Sequence, residues 1–282
     1  NLNIDEMKTI EFILKRTRFI NNETVNIKTK KKIKALVIVH TFGNAAEFEK
    51  LYSLCKKRNI KIIEDAAESL GTIYKSGKFK KRHTGTIGDY GVISFNGNKI
   101  ITSGNGGVVL THKKNIYRKA NYLITHSKDD KTRFIHNEVG FNYKLSNLSA
   151  ALGLAQIEKL EFFLKQKNKV RNFYKQQLKY EKNIKLLETP SYSRNNNWLN
   201  LVKVKSKKNI FSLIKKMKKN NIDIRPVWKP NHLQIPFKKY EQFKVISFEK
   251  NLKNVLCLPS SSSLKKNEVI RITNLLKKFL ND

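Results

Sequence analysis

Ala35-Leu36-Val37-Ile38-Val39, then Thr41-Phe42-Gly43-Asn44, then Ile60-Lys61-Ile62-Ile63-Glu64-Asp65 decide the fold class of this chain. The first run is short, apolar and β-branched, as a buried strand requires. Beyond the turn at 41–44, Phe48, Leu51, Tyr52 and Cys55 fall at i, i+3, i+4 and i+7, one face of an amphipathic helix. Ile60–Asp65 is a second strand. Strand, helix, strand is a βαβ crossover, so the two strands are expected as parallel neighbours. Cys55, on the apolar face, reads as a small buried hydrophobe and not as a nucleophile.

Working outward, Gly91–Phe95 and Gly107–Thr111 are two further strands, separated by a segment rich in Gly and Asn. Ser146 can cap a helix in which Leu148, Ala151, Leu152 and Ala155 share a face, expected to run on to about Tyr180. Glu188–Asn197 is polar and reads as a loop. Strand (Trp198–Val204), helix (Phe211–Asn220), strand (Asp223–Trp228), strand (Val255–Leu258) and a terminal helix follow, with no internal repeat. The expected organisation is a larger α/β portion over 1–145 and a smaller α+β portion over 146–282, joined by the long helix.

The 282 residues carry 58 Lys+Arg against 22 Asp+Glu, a net charge of +36, with 39% hydrophobic residues to build a core. No stretch approaches the roughly 18 apolar residues of a membrane-spanning helix, so an integral membrane protein is not expected. Two cysteines cannot make a disulfide framework. The charge invites a nucleic-acid reading, but its make-up argues against one. It comes from 48 Lys and only 10 Arg, and Arg is the usual reader of bases and phosphates. The lysines lie in short scattered runs (Lys30–Lys32, Lys207–Lys208, Lys215–Lys216, Lys218–Lys219), in a chain also rich in the Asn and Ile that AT-rich coding favours. They read as a solvated surface, with no specific nucleic-acid partner expected.

Functional groups of open α/β sheets gather at the carboxyl ends of the strands. Those ends here offer Asp65 and Ser94, with Lys99 just beyond. A carboxylate, a hydroxyl and a lysine on one edge suit a phosphate-bearing aromatic cofactor: the lysine can form a Schiff base, the carboxylate can pair with a protonated ring nitrogen, and the hydroxyl can hold phosphate. Taken singly, each residue has a plainer reading. Asp65 could cap the next helix, and Gly104-Asn105-Gly106-Gly107 could be a hairpin turn.

The order and spacing of the set carry more. Glu64-Asp65-Ala66-Ala67-Glu68-Ser69-Leu70-Gly71, His83-Thr84-Gly85-Thr86-Ile87-Gly88-Asp89, and Ser94-Phe95-Asn96-Gly97-Asn98-Lys99 with its glycine-rich sequel closely resemble the PLP-dependent sugar aminotransferases of the DegT/DnrJ/StrS group. The resemblance continues through Gly140-Phe141-Asn142-Tyr143-Lys144-Leu145-Ser146-Asn147 and Gln156-Ile157-Glu158-Lys159-Leu160 to Arg225-Pro226-Val227-Trp228 and Leu258-Pro259-Ser260-Ser261, so it covers essentially the whole chain. Phe-Asn-Gly-Asn-Lys and Arg-Pro-Val-Trp look most like the branch serving legionaminic acid and related bacterial sugars.

The resemblance implies the fold of type I PLP-dependent transferases: a mostly parallel α/β large domain and a smaller α+β C-terminal domain. It implies pyridoxal 5'-phosphate (PLP) as cofactor, an amino-acid donor such as L-glutamate, a nucleotide-linked keto-deoxysugar acceptor and a cytoplasmic enzyme. Lys99 would form the Schiff base and shuttle the proton, Asp65 would hold the pyridine nitrogen protonated, Glu68 would lie near the ring hydroxyl, and Ser94 would bind phosphate. Asn142 would reach the cofactor phosphate of a neighbouring subunit, which implies a homodimer with shared sites, and His232 would stand near the sugar. Lys99, where some members carry His and dehydrate, favours transamination. Lys144 replaces an Arg usual in the family, keeping the charge but not a planar bidentate contact. Family members begin well upstream of the segment matching Asn1-Leu2-Asn3-Ile4-Asp5, so the resemblance also implies a partial chain, with an incomplete large-domain sheet and no upstream phosphate-gripping turn or stacking aromatic. The reading from another class is a non-catalytic basic relative that binds anionic polymers.

Overall fold

The computed structural model describes residues 2–130, 132–205, 209–245, 249 and 252–281; Asn1 and the lysine pair 207–208 lie outside them. The chain opens with α1 (Glu6–Arg16), capped by the Asp5 carboxylate, which accepts from Lys8 N. A hairpin of β1 (Thr17–Ile20) and β2 (Glu23–Asn26) follows. Next come β3 (Ala35–Val39), α2 (Glu49–Lys57) and β4 (Lys61–Asp65), then β5 (Ile73–Tyr74), β6 (Tyr90–Ser94) and β7 (Gly107–Leu110).

The first sheet has the order β3-β4-β6-β7. β3 and β4 are parallel neighbours, as the crossover requires, with Val39 opposite Asp65. β4 and β6 are also parallel, and only β7 runs against its neighbour. α2 covers one face through Leu51 and Cys55, which pack with Ile38, Ile62, Phe48 and Phe79 in one core. Burial pushes the Cys55 thiol up to about 11, as befits an inert core residue. β3 departs from the buried strand expected of it. It lies at the sheet edge, with Val37 and Val39 exposed.

After α3 (Lys114–Ile124), β8 (Lys128–Asp130) and β9 (Ile135–His136), the expected long helix is two helices. α4 (Asn147–Ile157) is capped by Ser146, whose Oγ accepts from Ser149 N. α5 (Leu160–Leu178) starts after a break at Glu158 and Lys159. None of the residues of α4 is buried, so among the described residues nothing covers the apolar face read from Leu148 and Leu152.

The remaining elements are β10 (Ile184–Leu186), β11 (Ser193–Arg194), β12 (Asn200–Val204), α6 (Ile210–Lys219), β13 (Arg225–Pro226), β14 (Val255–Leu258) and α7 (Lys266–Asn281). β10-β12-β14-β13 form an antiparallel sheet. α5, α6 and α7 cover it around Tyr174, Met217, Leu256 and Leu276. Two expectations change here. The strand over Asp223–Trp228 shrinks to Arg225–Pro226, where proline lacks an N–H for a longer ladder. The loop over Glu188–Asn197 contains β11, which pairs with β5 and ties the second half of the chain to the first. A third core joins the halves through Phe42, Ile101, Trp198, Leu201 and Cys257.

Candidate functional site

β4 and β6 run parallel with Asp65 opposite Val92, so the strand ends at Asp65 and Ser94 share the carboxyl edge of the sheet. β6 comes that close to the turn after Thr84 because two glycines meet. A Cβ on Gly91 would stand 1.9 Å from the Gly85 carbonyl oxygen.

Asp65 does not cap a helix. Its Oδ1 accepts from Ala67 N at 3.1 Å and closes a turn, and no helix lies between Ala66 and Gly71. Ser94 Oγ accepts from Asn96 N at 3.3 Å, shaping the exit from β6. The loop that follows is closed by Phe95 N donating to Gly106 O (2.9 Å) and Ser103 N donating to Phe95 O (3.0 Å). Lys99 rides on this loop. Its Nζ lies 4.5 Å from the centroid of the Trp198 ring, a cation–π contact. No hydrogen bond or ion pair engages that amine among the described residues.

Glu68 is the most constrained of the set. Its Oε2 accepts from Phe42 N at 2.6 Å and its Oε1 from Trp228 Nε1 at 3.4 Å. Burial raises its pKa. The Phe42 N–H, the Lys99 charge and the Trp228 N–H pull the other way without winning, and the charge of Asp65 adds to the rise. Asp65, Glu68 and Lys99 therefore share one electrostatic environment. The Phe42 N–H is aimed by unusual backbone: Phe42 is buried with φ 56° and ψ 28°, a left-handed conformation costly for a bulky residue.

Behind this edge lies a buried hydrogen-bond network. His40 Nδ1 accepts from Ala46 N (3.0 Å), so the ring proton is on Nε2, which donates to Glu64 Oε2 (3.0 Å). Glu64 also accepts from the N–H groups of Gly85, Ile87 and Gly88. Burial works to raise the Glu64 carboxyl, but the His40 hydrogen bond, with the Gly88 and Gly85 N–H bonds, holds it below its ordinary value.

Lys99 lines a cavity of about 400 Å³ together with Thr102, Gln156, Lys167, Trp198 and Ser260. Asp65, Glu68, Ser94, Asn142 and His232 are not among the residues that line it. Asn142 is exposed, bridged to Thr125 and flanked by the stacked rings of Phe141 and Tyr143. The His232 imidazole pairs with Glu249 at 2.8 Å and lines a separate cavity of about 1050 Å³ beside α1 and the outer edge of β3. The sequence reading missed Phe42, Trp198 and Trp228, whose rings pack together at centroid distances of 5.4–6.4 Å. They come from three distant segments, and only the Arg-Pro-Val-Trp resemblance pointed at one of them.

An amine with no committed partner, a carboxylate, a hydroxyl and an aromatic wall form a donor set that fits a phosphate-bearing pyridine aldehyde.

Comparison with known proteins agrees. A sequence profile of the DegT/DnrJ/EryC1/StrS aminotransferase family matches residues 13–277. EpsN of Bacillus subtilis, whose name describes a pyridoxal phosphate-dependent aminotransferase, is 32% identical over 247 residues, covering 86% of this chain and 62% of EpsN. GDP-perosamine synthase of Escherichia coli O157:H7 is 30% identical over 259 residues, covering 90% of this chain and 68% of that protein. Among solved structures, PseC of Helicobacter pylori, an aminotransferase involved in the biosynthesis of pseudoaminic acid, superposes with a TM-score of 0.83 at 23% identity, covering 99% of this chain and 71% of PseC. The chain thus spans less than two thirds of EpsN, and 68–71% of the other two.

Proposed function

Since the chain belongs to the DegT/DnrJ/EryC1/StrS aminotransferase family, we propose that it acts in moving an amino group from an amino acid, L-glutamate in our reading, to the keto carbon of a nucleotide-linked deoxysugar, with PLP as cofactor, in the cytoplasmic synthesis of bacterial surface-polysaccharide sugars. Family membership favours this over a basic polymer-binding relative. The observation that carries the reading is Asp65 and Ser94 at the carboxyl edge of β4 and β6, with Lys99 on the loop just beyond and its amine set against the Trp198 ring. The branch serving legionaminic acid and related sugars belongs to the same proposal, on the Phe-Asn-Gly-Asn-Lys and Arg-Pro-Val-Trp stretches.

Bound PLP supplies an aldehyde for covalent attachment and a pyridinium ring that accepts electrons. In this reading Lys99 Nζ is the attachment point and the base that moves the proton. Asp65 holds a proton on the ring nitrogen by its charge. Glu68, braced by Phe42 N–H, meets the ring hydroxyl, and Ser94 offers its hydroxyl to phosphate. Asn142 and His232 lie outside this cluster, so their proposed roles require further groups. For Asn142 that group is a second copy. Near it in sequence, Phe134, Val139, Tyr143, Leu148 and Leu154 are exposed apolar residues that a second copy could cover. Tyr143→Asp is expected to shift sedimentation from dimer to monomer. The division at residues 145 and 146 is likewise proposed, supported by one four-stranded sheet on either side.

The test is PLP absorbance with borohydride trapping. The wild-type chain should fix PLP at Lys99, and Lys99→Ala should fix none and lose turnover against a panel of keto-sugars with glutamate. Normal turnover in Lys99→Ala would refute the assignment.

A further inference from the structure

Lys167 is out of place among 48 lysines that mostly sit in water. It projects from α5 and is 8% exposed. Its Nζ donates to two main-chain carbonyls, Trp198 O at 2.8 Å and Ser260 O. No carboxylate pairs with it among the described residues, and burial alone pushes its pKa down to about 8. Burying an ammonium is unfavourable unless its surroundings compensate, so a position that needed only a packed stem would be better served by an apolar residue.

What the ammonium holds is the wall of the candidate site. The Trp198 ring carries the cation–π contact to Lys99, and its Nε1 donates to Asn98 O at 2.8 Å, one residue before Lys99. Ser260 stands at the turn after β14, where its Oγ accepts from Asn200 N at 2.9 Å. Lys167 thus joins α5, the lead-in to β12 and the exit of β14 at one nitrogen, on the boundary of the cavity that Lys99 lines.

We propose that Lys167 is a positioning residue. By clamping the Trp198 and Ser260 carbonyls it sets the Trp198 ring against Lys99 and so fixes the direction of the reactive amine. The proposal rests on the aminotransferase reading for its kinetic part only. Its structural part stands without it.

Two measurements need neither cofactor nor turnover. Under limiting acetic anhydride on the native chain, Lys167 should be acetylated at least about tenfold more slowly than exposed Lys165, because labelling waits on local opening. Equal rates would overturn the clamp, and this holds even if every Lys167 variant fails to fold. In a Trp228→Phe background Trp198 is the only indole. There Lys167→Met should shift its emission to longer wavelength and raise iodide quenching, and Lys167→Arg should restore both.

For turnover, with Trp228 intact, Lys167→Met should lower kcat by up to about a hundredfold while KM for the amino donor stays within about twofold, since misaiming a reacting group costs rate more than binding. Lys167→Arg should recover most of it. A folded Lys167→Met chain with native Trp198 emission and native kcat would overturn the proposal. A wild-type chain with native labelling and emission but no transamination would instead refute the proposed function and leave the clamp standing.

Discussion

Glu64 and Asp65 are adjacent in β4, and strand alternation sends them to opposite duties. Glu64 is wholly buried and spends its oxygens on His40 and three backbone N–H groups. Asp65 is partly exposed at the sheet's functional edge. Glu64→Ala should therefore destabilise the fold by about 1–3 kcal/mol for each buried donor it leaves unsatisfied, read by urea unfolding at neutral pH. Because Glu64 is held below its ordinary value of 4.5 in the fold, its contribution is complete above that value and is lost as pH falls through the folded one. The gap between wild type and Glu64→Gln should thus close in acid. A gap independent of pH would mean that the carboxylate charge contributes nothing. Asp65→Asn should instead leave the melting temperature near native and abolish most transamination, since Asn can bond a ring nitrogen but cannot keep it charged. Near-native rates in Asp65→Asn would return Asp65 to a purely local role in its turn. The positions of Asp65 and Ser94 at strand ends, with Lys99 on the loop beyond, were legible in the sequence because strand and loop order is local. Phe42, Trp198 and Lys167 were not, because their meeting depends on tertiary packing across the two halves.

Elements with a strict periodicity were legible to within a residue or two: β3, α2, β4, β6 and β14 follow from apolar runs bounded by turn residues. One misreading has a physical cause. The continuous pattern from Ser146 to about Tyr180 hides a break at Lys159, since neither Glu158 nor Lys159 is a helix breaker. The face shared by Leu148 and Leu152 on α4 is exposed, and periodicity cannot say what covers a face. Gly91, by contrast, has a requirement that the structure makes explicit. A side chain there would strike the Gly85 carbonyl, and this contact lets β6 approach the 83–88 turn and the Glu64 network. Gly91→Ala should cost about 1–3 kcal/mol by thermal unfolding, the range for overpacking a closed site, and should also weaken PLP retention by displacing Ser94 and Lys99. A stable Gly91→Ala chain with native retention would show that β6 can shift without moving the loop.

At the scale of the molecule, the charge has an energetic consequence whatever the function. Fifty-eight cationic side chains face 22 acidic ones, so even complete pairing would leave +36 uncompensated. The ion pairs away from the His40–Glu64 network sit mostly at exposed positions such as Lys15–Glu11 and Arg225–Asp223, where an isolated pair contributes little. Self-repulsion then outweighs pairing. Raising ionic strength from about 0.01 M to 0.15 M shortens the Debye length from roughly 30 Å to 8 Å, which screens distant repulsions between scattered lysines more than contact pairs. The melting temperature should rise over that interval. The same dispersion fixes the response to nucleic acid. Lysines spread without an Arg cluster can meet phosphates but cannot read bases, so binding should be sequence-blind and fall steeply as salt rises. The two titrations constrain each other, because one charge distribution drives both. If the melting temperature fell with salt while duplex DNA stayed bound at submicromolar concentration and with sequence preference, the lysines would have to be arranged for recognition, and the reading of them as solvated surface would fail.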